Sequence, residues 1–239
     1  MEEEHPFPYH GYEWYILEKW DPLSNLSNED QYTMLSLEYL ELGNWGRRAY
    51  QFCALDARAD DSTVVPPVVP DNVPRSLRTT QERGLDPGNG LVWLRTHYLP
   101  GEDERHEEFI EVSDGTWKEI FDDLSLYDDP QITNDMRRFL ARVPQFLDLL
   151  REDPDSTEDW QTPEVDVSMQ NLFEIFVADV KTFESRELAV VTVNDKAETL
   201  IVRRVPLESV IEAQGFIFYG SWNDDLQEDI NEQRMAYGH

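Results

Sequence analysis

The chain has 239 residues, 40% of them hydrophobic and 12% aromatic, which is enough to bury a core and too aromatic for a disordered chain. Fifty acids against 20 bases leave a formal charge of −30, which disfavours direct binding to nucleic acid or to an anionic membrane and favours a basic protein partner. The single cysteine, Cys53, excludes an intramolecular disulfide, and no apolar run approaches the roughly 18 residues that a membrane helix needs.

The N-terminus, MEEEHPFPYH, lacks the basic start and apolar stretch of a signal peptide, so the expected setting is cytoplasmic, with the nucleus as a second place. YEWYILEKWDP (residues 12–22) alternates over part of its length and ends at Asp21-Pro22, which reads as a strand closed by a turn. SNEDQYTMLSLEYLELG follows as a helix. Ser27 and Asp30 have capping-box spacing, with Asp in place of the usual Glu. Tyr32, Leu35, Tyr39 and Leu42 keep helical spacing, and Gly43 suits the left-handed residue that ends a helix. A second helix then places Trp45, Ala49, Phe52 and Asp56 on one face. Through Leu42, Gly43, Asn44, Trp45 and Phe52 this unit resembles a tetratricopeptide hairpin. Arg48 stands where that repeat has a small residue, the terminal proline is missing and no second copy follows. A lone repeat cannot bury its faces by stacking, so the resemblance implies no more than a helical hairpin.

Residues 60–90 hold five prolines and three glycines, a density that no regular element survives. They read as a long loop or linker between residues 1–59 and a main body over residues 91–222, with residues 223–239 as a polar tail. Trypsin is expected to cut this linker first, near Arg75, Arg78 or Arg83. LVWLRTHYL (91–99) resumes as a strand, with Trp93, Arg95 and His97 on one face. In HYLPGEDERHEEF (97–109), His97 and His106 are separated by Pro100-Gly101 and lack a third ligand. The segment reads as a solvated hairpin or loop rather than a zinc site, and it lacks the spaced ligands of a calcium loop.

After Ser113, Trp117, Ile120, Phe121 and Leu124 give the i, i+3, i+4, i+7 pattern of a helix. After Thr133, the pattern continues through Met136, Phe139, Leu140, Val143, Leu147 and Leu150, with Pro144 expected to bend it. REDPDSTEDWQTPEVD (151–166) reads as an acidic loop. Met169, Leu172, Phe173, Phe176, Val177 and Val180 predict another helix. LAVVTV and LIVRRV flank the polar NDKAET and predict a hairpin. Pro206 is expected to open a short helix, and GFIFYGSW reads as a last strand. The fold class is therefore α+β, with helices packed on a small, mostly antiparallel sheet and a helical hairpin at the N-terminus.

No nucleophile elbow, phosphate loop or dinucleotide fingerprint occurs, and no carboxylate pair stands out among 50 acids. No catalytic, cofactor-binding or metal-ligating residue is assigned. Residues 101–129 hold twelve acids and two bases, a net of −10. Glu102, Asp103, Glu104, Glu107, Glu108, Asp122, Asp123, Asp128 and Asp129 are therefore the expected partner-binding residues, acting through their field. Trp160, in the acidic loop without apolar periodicity, is the expected apolar anchor. The leading expectation is a non-enzymatic acidic binding protein that engages a basic protein partner, as an inhibitor, an immunity-like protein or an assembly subunit. The rivals are a small-molecule enzyme with an aromatic-lined pocket and a helical-hairpin adaptor. The oligomeric state is left open, and plain solubility is the competing explanation of the acidity.

Overall fold

The computed structural model describes residues 8, 10–57, 59, 62–73, 91–113, 117–143 and 173–210. The described residues fall into two compact units, one within residues 1–88, 137–164 and 195–197, the other within 89–136, 165–194 and 198–239.

The first unit opens with three helices, α1 (Gly11–Lys19), α2 (Asn28–Glu41) and α3 (Gly43–Asp56), and also holds the short helix Arg137–Leu140. The segment predicted as a strand is therefore a helix. Tyr12, Trp14 and Ile16 alternate, but Tyr12, Tyr15 and Ile16 also sit at i, i+3 and i+4. With Trp14 and Leu17 buried as well, α1 shows no polar side from which to read a period. Its start was marked by Glu13, whose carboxylate accepts from the His10 backbone N–H at 3.1 Å. Ser27 caps α2: its hydroxyl accepts from the Asp30 N–H at 3.0 Å and donates to the Asp30 carboxylate at 2.7 Å. Leu35 and Tyr39 face inward as their spacing requires. They pack with Tyr12, Tyr15, Ile16, Leu17, Trp20 and Val73, while Tyr32 and Leu42 lie at the edge.

Gly43 has φ +62, the left-handed conformation expected of it. A β-carbon there would also lie 2.7 Å from the Asp195 carboxylate, which accepts from the Asn44 N–H at 2.9 Å. On α3 the apolar stripe points outward. Trp45 is 61% and Phe52 44% exposed, with the Arg48 guanidinium stacked over both rings. The inward position goes to Arg47, which is fully buried. It donates to the Asn44 side-chain oxygen at 2.8 Å and to the Asp195 carbonyl at 2.7 Å, and it lies over the Tyr39 ring. Residues 62–73 form no helix or strand. They are nevertheless held to the helices: Val69 and Val73 pack on the core, and the Trp20 indole N–H donates to Asn72 at 3.1 Å. Arg75, Arg78 and Arg83 lie outside the described residues.

The second unit is built on β1 (Leu91–Arg95), β2 (Trp117–Phe121), β3 (Phe173–Ala178), β4 (Glu187–Val193) and β5 (Thr199–Pro206), in the order β2-β1-β3-β4-β5. The class is α+β, as predicted. The sheet is mixed: β1 runs parallel to β2 and β3, and β4 runs antiparallel to β3 and β5. The β4–β5 hairpin and the turn of 3-10 helix after Pro206 (Leu207–Ser209) match their sequence signals.

Three local expectations are corrected here. Residues 103–113 form a helix, α4 (Asp103–Ser113), not a solvated loop, and it links the parallel strands β1 and β2. Residues 117–121 form β2, not a helix. Trp117 and Phe121 satisfy a period of 2 as well as one of 3.6, and Ile120, between them on the edge strand, is exposed. Residues 173–178 form β3, not a helix. Ile175, Phe176, Val177 and Ala178 are all fully buried because both faces of this inner strand are covered, and such a strand reads as a continuous apolar run.

Short helices complete the described residues: α5 (Leu124–Tyr127), α6 (Arg137–Leu140) and α7 (Val180–Ser185). Met136, Phe139, Leu140 and Val143 are buried as their spacing predicts, but among the described residues only Arg137–Leu140 is helical, with turns before and after it, so the expected long helix is cut there to a single turn. The continuation through Leu147 and Leu150, the acidic loop with Trp160, and the predicted strand at GFIFYGSW lie outside the described residues. The core of this unit gathers Trp93, Phe109, Phe176, Phe183, Leu188 and Val190, so α4 and α7 cover one sheet face. Among the described residues no helix is long and apolar enough to cross a membrane.

Candidate functional site

β1 leads through α4 to β2 on one side, and β3 lies on its other side. The carboxyl ends of these three parallel strands deliver Arg95, Asp122 and Asp179, the position where open sheets of this kind gather chemistry. Gly101, at φ +87, turns the chain from β1 into α4. Helical spacing places His106, Phe109 and Ser113 on the buried side of α4.

His106 is 2% exposed. Its Nε2 accepts the Trp93 indole N–H at 2.8 Å, and its Nδ1 faces Asp122 Oδ2 at 3.3 Å. An indole nitrogen only donates, so Nε2 keeps its lone pair and the proton sits on Nδ1, towards the carboxylate. Burial pulls the His106 pKa down to about 4, against the pull of Asp122 and with a smaller push from Arg95. An aspartate–histidine pair is a familiar catalytic unit, but here the second ring nitrogen is capped by tryptophan and has no lone pair to offer a substrate. The pair ties α4 to β1 and β2.

Arg95 is almost fully buried beside it. Its Nη1 lies 2.9 Å from Asp103 and 3.5 Å from Asp122, and its Nε donates to the His97 carbonyl at 2.9 Å. The guanidinium lies over the rings of Tyr98 and Phe183, at 4.5 and 5.6 Å. Tyr98 donates its hydroxyl to the Arg95 carbonyl, and burial together with Asp122 pushes its pKa well up. His97 faces Glu102 at 3.2 Å. At the end of β3, Asp179 caps α7 through the Thr182 N–H and pairs with Arg204 through both carboxylate oxygens. Burial opposes ionisation of Asp179, but the Arg204 pair holds its pKa below the usual carboxylate range.

The solvent side of α4 is different. Glu104, Glu107, Glu108 and Glu111 are exposed at i, i+3, i+4 and i+7. Glu108 pairs with Arg186 at 3.0 Å, and that arginine also reaches Glu208 at 3.3 Å. Glu104, Glu107 and Glu111 meet no cation among the described residues. Neighbouring like charges at these spacings cost a helix about 0.2–0.5 kcal/mol per pair.

The sequence-predicted residues thus divide by role. Glu104, Glu107 and Glu108 lie together on the α4 surface, and Asp103 stays 81% exposed while pairing with Arg95. Asp122 pairs with Arg95 and faces the neutral His106 ring, and Glu102 lies against His97. Asp123 caps α5, accepting from the Ser125 N–H at 2.8 Å and its hydroxyl at 2.6 Å, which holds its pKa below the usual range. Asp128 is exposed, and Asp129 accepts from the Gln131 N–H at 2.9 Å. Trp160 lies outside the described residues. Glu111 was missed, although it continues the spacing of Glu104 and Glu107 by one turn. Among the described residues no group of three or more His, Cys, Asp and Glu could hold a metal ion. Comparison with protein-family models, with curated proteins and with solved structures found no match to this chain.

Proposed function

We propose that the protein is a non-enzymatic binding protein that engages a basic protein partner through the solvent face of α4. The observation that carries this is the row of exposed carboxylates at Glu104, Glu107, Glu108 and Glu111, of which three meet no cation among the described residues. Solubility is served by scattered charges of both signs. A single-sign row on one helix is an unfavourable local arrangement, and it focuses a field that speeds the encounter with an oppositely charged surface. Such charges act mainly on the association rate, while apolar contacts set the dissociation rate.

The test starts from a partner recovered from the native lysate on immobilised protein and purified. Its association with wild type and with E104Q/E107Q/E111Q is then measured over a salt series. The screening length shrinks from roughly 30 Å at about 0.01 M to roughly 8 Å at about 0.15 M salt. The wild-type association rate should fall steeply over that range, and the variant should be slow throughout with its dissociation rate little changed. An association rate that ignores both salt and the three substitutions would leave the acidity as a solubility device.

A further inference from the structure

We infer that the outer face of α2 is a docking groove for an amphipathic basic helix of a partner protein. The inference concerns the first unit and stands whether or not α4 binds anything. The inner face of α2 is spent on the core through Gln31, Leu35, Ser36, Tyr39 and Leu40. On the outer face, Met34 and Leu37 are 40% and 37% exposed. Single exposed apolar side chains are ordinary. These two, one turn apart, instead line with Leu42 a shallow, open groove of about 600 Å³. A methionine in such a lining adapts to the shape of what it meets.

The rim carries Asp30, Glu38 and Glu41. Neutral hydroxyls satisfy two of them without cancelling their charge: Ser27 donates to Asp30 at 2.7 Å and Tyr15 to Glu38 at 3.2 Å. The Tyr15 phenol is pushed up to about 12 by burial and by Glu38, so it remains the donor. Glu41 has an exposed cation, Arg137, at 2.6 Å. An apolar lining with an acidic rim fits a helix whose apolar residues recur each turn and whose flanks carry Lys or Arg. The 14 residues of α2 offer a seat of about 21 Å, or three to four turns. A second copy of this chain is the wrong partner, because its charge of −30 repels the rim. Residues 223–239 of the chain itself, with five acids and one base, also carry the wrong sign.

The probe is a leucine–lysine peptide with leucines at i, i+3, i+4 and i+7, titrated into the full chain carrying ¹³C-methyl methionine. A scrambled peptide of the same composition is the control. Of the five methionine methyl signals, that of Met34, assigned with Met34→Leu, should move most, with one-to-one saturation. Met34→Gln/Leu37→Gln should weaken binding by at least about tenfold, and the scrambled peptide should bind at least about tenfold more weakly than the patterned one. Both substituted positions are exposed, and circular dichroism checks that the variant folds. E104Q/E107Q/E111Q should bind the patterned peptide within about twofold of wild type. Equal binding of the two peptides, equal binding by the groove variant, or a largest shift at another methionine would overturn the groove. Loss of peptide binding in the α4 variant alone would overturn it while leaving the α4 reading intact. A concentration-dependent dimer that the peptide dissociates would assign the groove to a second copy and overturn the proposed occupant.

Discussion

The Trp93 indole N–H can only donate, so protonating His106 at Nε2 sets two N–H groups against each other in a buried site. Followed by NMR, His106 should therefore stay neutral on acidification to about pH 4. An unfolded chain takes up that proton near pH 6.5. Between about 4 and 6.5 the unfolded state binds more protons, so this group's contribution to stability is present above that window and is lost as pH falls through it. His106→Phe should be about 1–3 kcal/mol less stable at neutral pH, because the buried indole loses its acceptor. The gap between wild type and variant in urea unfolding should narrow towards about pH 5. Glu174 titrates in the opposite sense. Burial pushes its pKa up to about 7, against Arg203 and the Thr192 hydroxyl, which lies 3.5 Å away. The folded chain then keeps a proton that the unfolded chain releases near pH 4.3, so stability is lost as pH rises through that interval. Glu174→Gln should exceed wild type in stability at about pH 8 and lose that advantage by about pH 4.

Helix α3 begins at a residue that tolerates no side chain. Gly43→Ala should lower stability by about 1–2 kcal/mol for the left-handed backbone alone, and by more because the Asp195 carboxylate occupies the place of the β-carbon. The same substitution at Gly101, where nothing lies within 4 Å of a β-carbon, should cost only the backbone part. Comparing the two in urea unfolding separates strain from collision. On α4, Glu107→Lys exchanges repulsion with Glu104 and Glu111 for attraction. The helix should gain a few tenths of a kcal/mol while the basic partner associates more slowly. A variant that is both more stable and faster to associate would contradict a binding role for that face.

For the whole molecule, 50 acids against 20 bases mean that folding gathers like charges. Salt screens that repulsion, so the thermal midpoint should rise with sodium chloride, the reverse of a chain held together by surface ion pairs. A midpoint that falls with salt would point to the pairs Arg137–Glu41 and Arg186–Glu108 as dominant.

The sequence by itself determined the features that depend on a few neighbouring residues. The Ser27 cap, the inner face of α2, the left-handed Gly43 and the hairpin of β4 and β5 are local chemistry, and the α+β class follows from their sum. Tertiary structure decided wherever a segment is buried on more than one side. α1, β2 and β3 carry apolar residues compatible with both periods, and only the covering of both faces of β3 or most sides of α1 selects between them. It also decided the places where a polar group goes inside. Arg47 displaced the apolar stripe of α3 to the surface because Asn44, Asp195 and Tyr39 offered partners, two of them far along the chain from one another. His106 and Arg95 were buried for the same reason, since their bonds to Trp93, Asp103 and Asp122 exist only once β1, α4 and β2 have come together. The carboxylate row of α4 is written in the spacing of Glu104, Glu107, Glu108 and Glu111, but it became a surface only when the apolar side of that helix took the sheet.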